Sequence, residues 1–182
     1  MARSRSAAVQ IPPEPDPSLI DALVQDLNCD KVIACQKARR QLVALGKMAV
    51  NPLIDALKSR KPWVRWEAAK ALGEIGDPVA AEALAMALRD NRSDVRWLAA
   101  EALITMGKDG VEALLQELTR NSDSLWMLQG AHHVFHDIKE QQFKQALKPV
   151  LDALDDVEPT IQVPIAAKKV LDGLNVRRTQ AH

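Results

Sequence analysis

The segment VRWEAAKALGEIG (Val64–Gly76) returns as VRWLAAEALITMG (Val95–Gly107), 31 residues further on, and this repetition decides the fold. Upstream, CQKARRQLVALG (Cys35–Gly46) sets Gly46 thirty residues before Gly76, with Leu42 on Leu72 and Leu45 on Ile75. Between these A segments runs a second element, B: LIDAL at Leu19–Leu23, LIDAL at Leu53–Leu57 and VLDAL at Val150–Leu154. Glu82–Leu88 and Glu112–Leu118 are weaker copies. Within the A segments Val64, Ala68, Leu72 and Ile75, and likewise Val95, Ala99, Leu103 and Met106, keep the 3-4 spacing of one helix face. Gly46, Gly76 and Gly107 stand where a helix ends on a left-handed residue. Asp77-Pro78 reads as an N-cap followed by a first-turn proline, and Pro62 and Pro159 suit first turns too. A 12–16-residue helix with one apolar face cannot bury itself alone, so each pair must stack on the next.

The expected architecture is an all-α, right-handed solenoid of antiparallel helical hairpins, about ten helices in all. A disordered tail over 1–16 precedes the repeat domain, 17–173, and a frayed tail, 174–182, follows it. A B-type helix (17–28) caps the array, four A/B hairpins follow at 30–60, 62–90, 93–120 and 123–156, and an A-type helix over 160–173 closes it. Pro164 in that last helix implies a late start or a kink. The fourth hairpin is the irregular one, since Leu118 to Leu154 spans 36 residues where the earlier spacings are 30 or 31.

Composition agrees with helix. Hydrophobic residues make up 47% of the 182, yet only 3% are aromatic, so the core is Ala, Leu, Val and Ile. Charge sums to zero but is unevenly placed: residues 31–70 carry a net +8 and residues 71–160 a net −8. The array should therefore have a basic end, with Arg39, Arg40, Lys58, Arg60 and Lys61 as its patch, and an acidic middle. Cys29 and Cys35 are too few for a framework of disulfides and read as free thiols of a reducing cytoplasm. The sequence has neither an apolar run of membrane-spanning length nor, in MARSRSAAVQ, a secretory stretch, so no membrane association is expected.

The A and B segments resemble the HEAT repeat in the short form found in bacterial and archaeal proteins, the phycocyanobilin lyase subunits among them. That form has a first helix like D-x-x-V-R-x-x-A-A-x-A-L-G-x-I-G-D. Val64-Arg65, Ala68-Ala69, Ala71-Leu72-Gly73 and Ile75-Gly76-Asp77 fit it, as do Asp94, Val95-Arg96, Ala99-Ala100, Ala102-Leu103 and Gly107. The first and fourth hairpins fit only in apolar spacing, and the resemblance extends over about 18–173. It specifies fold, and the scaffold serves adaptors, chromophore lyases, a hydroxylase and nucleic-acid binders alike. The hydroxylase of this type, which acts on deoxyhypusine, binds two irons through His-Glu pairs just after the V-R. Here those places hold Trp66-Glu67 and Trp97-Leu98, so that site is excluded.

No catalytic order of Ser, His and Asp and no phosphate loop is present, so the sequence reads as non-enzymatic and without a cofactor. His132 and His136, at i,i+4 with Asp137 near, are the minimum of a metal pair, but a third ligand at diagnostic spacing is missing. Asp21, Asp55 and Asp152 recur in the B element, as solvent-facing or inter-repeat hydrogen-bonding positions do. The candidate binding residues are Trp63, Arg65, Trp66, Arg96, Trp97 and Trp126. Trp66 and Trp97 share one repeat position, off the apolar stripe, which the HEAT resemblance turns toward the concave side. Trp and Arg are the types enriched where binding energy concentrates. Against that stands a second reading, in which the rings fill gaps between repeats and the arginines form a ladder to Asp94 and similar acids. The leading functional expectation is a scaffold that grips a protein partner along its concave surface. A bilin-lyase-like role, handling an open-chain tetrapyrrole, is the alternative, and nucleic-acid binding through the basic 31–70 block is the third.

Overall fold

The computed structural model describes residues 16–28 and 32–180. Among them are ten α-helices and no strand: α1 (Pro17–Asp26), α2 (Val32–Leu45), α3 (Lys47–Ala56), α4 (Pro62–Ile75), α5 (Ala81–Ala87), α6 (Ser93–Thr105), α7 (Lys108–Arg120), α8 (Leu125–Asp137), α9 (Gln141–Leu154) and α10 (Pro159–Gln180). A single 3-10 turn, Pro78–Ala80, leads into α5. The chain is an all-α solenoid. The tail expected before residue 16 lies outside the described residues, while Asp16 caps α1 by accepting a hydrogen bond from the Ser18 amide at 2.9 Å. None of the described helices is long and apolar enough to cross a membrane.

Helices α2, α4, α6 and α8 form one row, A, each against the next, and α1, α3, α5 and α7 form the B row beneath it. Small residues meet between α4 and α6. Ala69 and Gly73 of α4 face Ala102 of α6, and a Cβ on Gly73 would lie 3.0 Å from that of Ala102. Of the stripes read from the sequence, Val64, Ala68 and Leu72 and likewise Val95, Ala99 and Leu103 are buried, while Ile75 and Met106 at their ends are half-buried and pack against the core.

The three repeat-end glycines all have positive φ, at 57°, 67° and 57° for Gly46, Gly76 and Gly107. Only Gly76 is a left-handed helical cap. Gly46 and Gly107, with ψ of −128° and −119°, take a conformation open essentially to glycine and let α3 and α7 start at the next residue. Asp77 caps the 3-10 turn that leads into α5, accepting from the Val79 amide at 3.0 Å.

Three expectations need correction. The last helix does not continue the A row: α10 packs against α7 and α9, where a regular array would bring α9 directly onto α7. Its apolar edge, Val163, Ala167 and Val170, is buried there, so the irregular fourth hairpin is where the two-row order breaks. Nor does α10 end near 173 or start late; it is helical from Pro159 to Gln180, so 174–180 are not a frayed tail. Pro164 is tolerated because the Thr160 carbonyl, which its missing N–H would have served, accepts from the Ser122 hydroxyl at 3.0 Å instead. Finally, Cys35 is buried and disulfide-bonded, not a free thiol; the chain's other cysteine, Cys29, lies outside the described residues.

Candidate functional site

Counting along each A helix from its first residue fixes which side chains share a place. Trp63 and Trp126 are both second, Trp66 and Trp97 both fifth, and Lys70, Glu101 and His133 all ninth. On a helix, the fifth position of α4 lies opposite the buried Val64–Ala68–Leu72 stripe, so the repeat directs these side chains away from the B row. The open face of the A row is thus a surface of indoles and charges.

Trp63, Trp97 and Trp126 are 48%, 56% and 42% exposed, and Trp66 is half-buried. Each ring has a polar neighbour. The Lys70 ammonium lies 4.8 Å from the centre of the Trp66 ring, and the Arg96 guanidinium 4.6 Å from that of Trp126. Lys61 lies 5.8 Å from the Trp63 ring. Trp97 stacks on His133 of α8, with centroids 4.8 Å apart and planes at 21°. His133 Nε2 is 3.1 Å from Glu101 Oε1 and its Nδ1 is 3.3 Å from Asp137 Oδ2, so α6 and α8 are tied across this stack. His136 donates to Asp137 at 2.7 Å, and that bond chiefly holds the Asp137 carboxyl below its usual range. Two shallow grooves run between α4 and α6. One, of about 370 Å³, is lined by Pro62, Trp63, Trp66, Arg92 and Asp94, and the other, of about 180 Å³, by residues including Lys70, Glu74, Glu101 and Thr105.

The two arginines divide in role. Arg65 grips Asp90 through two bonds, Nε to Oδ2 at 2.6 Å and Nη2 to Oδ1 at 2.8 Å, and also donates to the Ser59 carbonyl at 2.8 Å. The bond to Asp90 holds its guanidinium above even the usual arginine range. Its donors are therefore committed to joining the α3–α4 and α5–α6 loops. Arg96 donates to the Asp90 carbonyl at 2.8 Å and spreads over Trp126. The ladder acid is Asp90; Asp94 instead pairs with Arg92 at 3.0 Å, which lowers its pKa.

The basic patch is not the uniform surface that the charge count implied. Arg39 is buried, its Nε 2.8 Å from Glu67 Oε2, an ion pair short of hydrogen-bond alignment, with Nη1 bonded to Glu74. It stands thirty positions before Ala69, at the row contact, so its charge is spent between α2 and α4. Burial is the main reason that the Glu67 carboxyl sits above its ordinary pKa. Arg40, Lys58, Arg60 and Lys61 are exposed, but Lys58 pairs with Asp55 at 2.8 Å. Arg60 and Lys61 line an open groove of about 960 Å³ between α1 and α3 that also contains Asp21 and Asp55. Asp152 is exposed on α9. His132 and His136 are parallel, with centroids 6.2 Å apart, and His132 lies 3.5 Å from Asp155. Among the described residues no three His, Cys, Asp or Glu side chains converge as a metal requires.

Sequence reading singled out the indoles but did not join Lys70, Glu101, His133, Asp137 and Asp90 to them. The signal was available in the register, because the ninth position of each A helix is polar in three successive repeats.

Two rows of stacked hairpins with side chains in repeat register define a HEAT-repeat solenoid, and the chain belongs to the HEAT-repeat family. The family model for HEAT repeats matches residues 17–104. The phycocyanobilin lyase subunit beta of Thermosynechococcus vestitus is 31% identical over 176 residues, an alignment covering 87% of this chain and 83% of that protein.

Proposed function

We propose that the chain is a non-enzymatic scaffold that holds a protein partner on the open face of its A row. Trp63, Trp66, Trp97 and Trp126 supply the contact area and Arg96 a charged neighbour. The observation that carries this reading is the exposure of three indoles, 42–56%, on the open face of the A row. Exposed indoles in repeat register offer a rigid, extended contact strip, and Trp is the type most enriched where interfaces concentrate their energy. Partners are captured on the immobilised chain and identified by mass spectrometry, then re-measured with Trp63→Ala and Trp97→Ala together. Loss of about 2 kcal/mol or more of binding, with an unchanged melting temperature, supports the reading. Equal binding by the variant refutes it.

A second reading is favoured by the name of the relative. A chain 31% identical to a phycocyanobilin lyase subunit can share the handling of an open-chain tetrapyrrole. The groove between α1 and α3, about 960 Å³, is of ligand-site size and holds both carboxylates and cations. Titration with biliverdin, followed by its visible absorbance, tests it; a spectrum identical to the free pigment's at all ratios excludes it. Nucleic-acid binding draws less support, because Arg39 is internal and Asp21 and Asp55 interrupt the positive surface beside Arg60 and Lys61. The disulfide at Cys35 withdraws the free-thiol argument for a cytoplasmic location.

A further inference from the structure

Helix α10 is apolar on two opposite faces. Val163, Ala167 and Val170 fill the contact with α7 and α9. On the far side Ile161 and Ile165, one turn apart, are 54% and 62% exposed, and Val157, just ahead of the helix, is 96% exposed. A helix covering one core keeps its outer face polar. The charges beside this stripe are ordered. Asp155, Asp156 and Glu158 precede it, and Lys168 and Lys169 follow it. Helical spacing sets Ile161, Ile165 and Lys168 on one face of α10, the face away from Val163 and Val170, and Glu158 stands just before the first turn, its carbonyl accepting from the Ile161 and Gln162 amides.

We propose that α10 is the contact of a homodimer, paired antiparallel with α10 of a second copy about a two-fold axis that passes beside Val163. A two-fold contact requires one surface to complement itself. Turned end for end about Val163, this surface does: Ile161 falls opposite Ile165 of the second copy, and Glu158 falls opposite Lys168, five residues on either side of the centre. A parallel pairing would set Glu158 on Glu158 and Lys168 on Lys168, so the charge order selects the antiparallel one. Lys168 lies 2.6 Å from Asp172 on its own helix, and in the pair it is shared between Asp172 and Glu158 of the second copy. The exposed Val32 and Ile33 at the other end of the array lack this order, since the charges exposed near them on α2 are Lys37 and Arg40, both positive.

A single helix pair buries less than the roughly 1,600 Å² of a standard interface, so the dimer should exchange with monomer at micromolar concentrations. The full chain, 20.0 kDa, is followed by sedimentation velocity from about 1 to 200 μM, with the average mass expected to rise toward twice the monomer's. Ile161→Glu should weaken dimerisation at least tenfold with helix content unchanged, the side chain being exposed. Glu158→Lys and Lys168→Glu should each lose the dimer alone, and an equimolar mixture of the two should regain it, because each then meets an opposite charge at both contacts. A monomer at every concentration, a dimer indifferent to Ile161→Glu, or a mixture that stays monomeric overturns the proposal.

Discussion

Replacing Gly110 by alanine puts the close approach of α6 and α7 to the test. Gly110 is the third residue of α7, buried against the end of α6. A Cβ there would lie 2.1 Å from the Leu103 carbonyl oxygen, 2.9 Å from its carbon and 3.0 Å from its Cα. All three are backbone atoms, so no rotamer change relieves the clash, and the helices must separate by about 1 Å. Alanine ordinarily favours a helix over glycine by about 0.8–1.0 kcal/mol. Overpacking a close contact costs about 1–3 kcal/mol, and an immovable backbone obstacle belongs at the upper end. Gly110→Ala should therefore lose about 2 kcal/mol net. Gly173 of α10 is the internal control, because a Cβ there meets nothing within 4 Å. Gly173→Ala should gain about 0.5–1 kcal/mol. Urea unfolding followed by circular dichroism measures both, and in a melt the shifts are about 2–4 °C per kcal/mol, downward for the first and upward for the second. Two variants of equal stability, or a stabilised Gly110→Ala, would refute the argued helix approach.

Leu72→Ala and Leu103→Ala, at equivalent and fully buried positions, should each cost about 2–5 kcal/mol in the same unfolding experiment. Asp90→Ala should cost about 3 kcal/mol, because it leaves the largely buried Arg65 guanidinium without its counter-ion. Glu67 has a raised pKa, so the folded state binds its proton more tightly than the unfolded chain. Its contribution to stability therefore falls as pH rises from the ordinary carboxylate range through the raised value. Glu67→Gln removes that dependence, and the variant should gain on the parent as pH increases through this window; a constant difference across pH would count against a buried, ionising Glu67.

The repeat was legible because a solenoid lays sequence order out in space, so a 31-residue period with a glycine at each end reports helix length, row and register together. Val64 and Val95, Leu72 and Leu103 could be placed before any coordinate, as could the first turns at Pro62 and Asp77. What periodicity does not carry is which row a terminal helix joins. That depends on whether α9 closes on α7, a matter of packing between elements with no fixed spacing. Arg39 went astray for a different reason. Charge counting treats every arginine as surface, whereas repeat register puts this one at the small-residue contact held elsewhere by Ala69 and Ala100. The indoles were singled out, but their neighbours were not joined to them, because Lys70, Glu101 and His133 share a position and not an identity.

The place taken by α10 also decides how this array can change in length. Repeat proteins grow by duplicating a unit whose two faces match its neighbours. At its C-terminal end this chain has no such face to offer. A further hairpin would meet α10, where a regular array would offer it a B helix of the repeat. Inside the array the situation is the reverse. A second copy of the unit from Pro62 to Arg92 would present an α4 surface to α6, and would set its own Glu67 against α4 where α6 carries Leu98. Copy number can thus vary between α4 and α6 once that position is apolar, so long and short forms should differ in the number of Val-Arg-Trp segments.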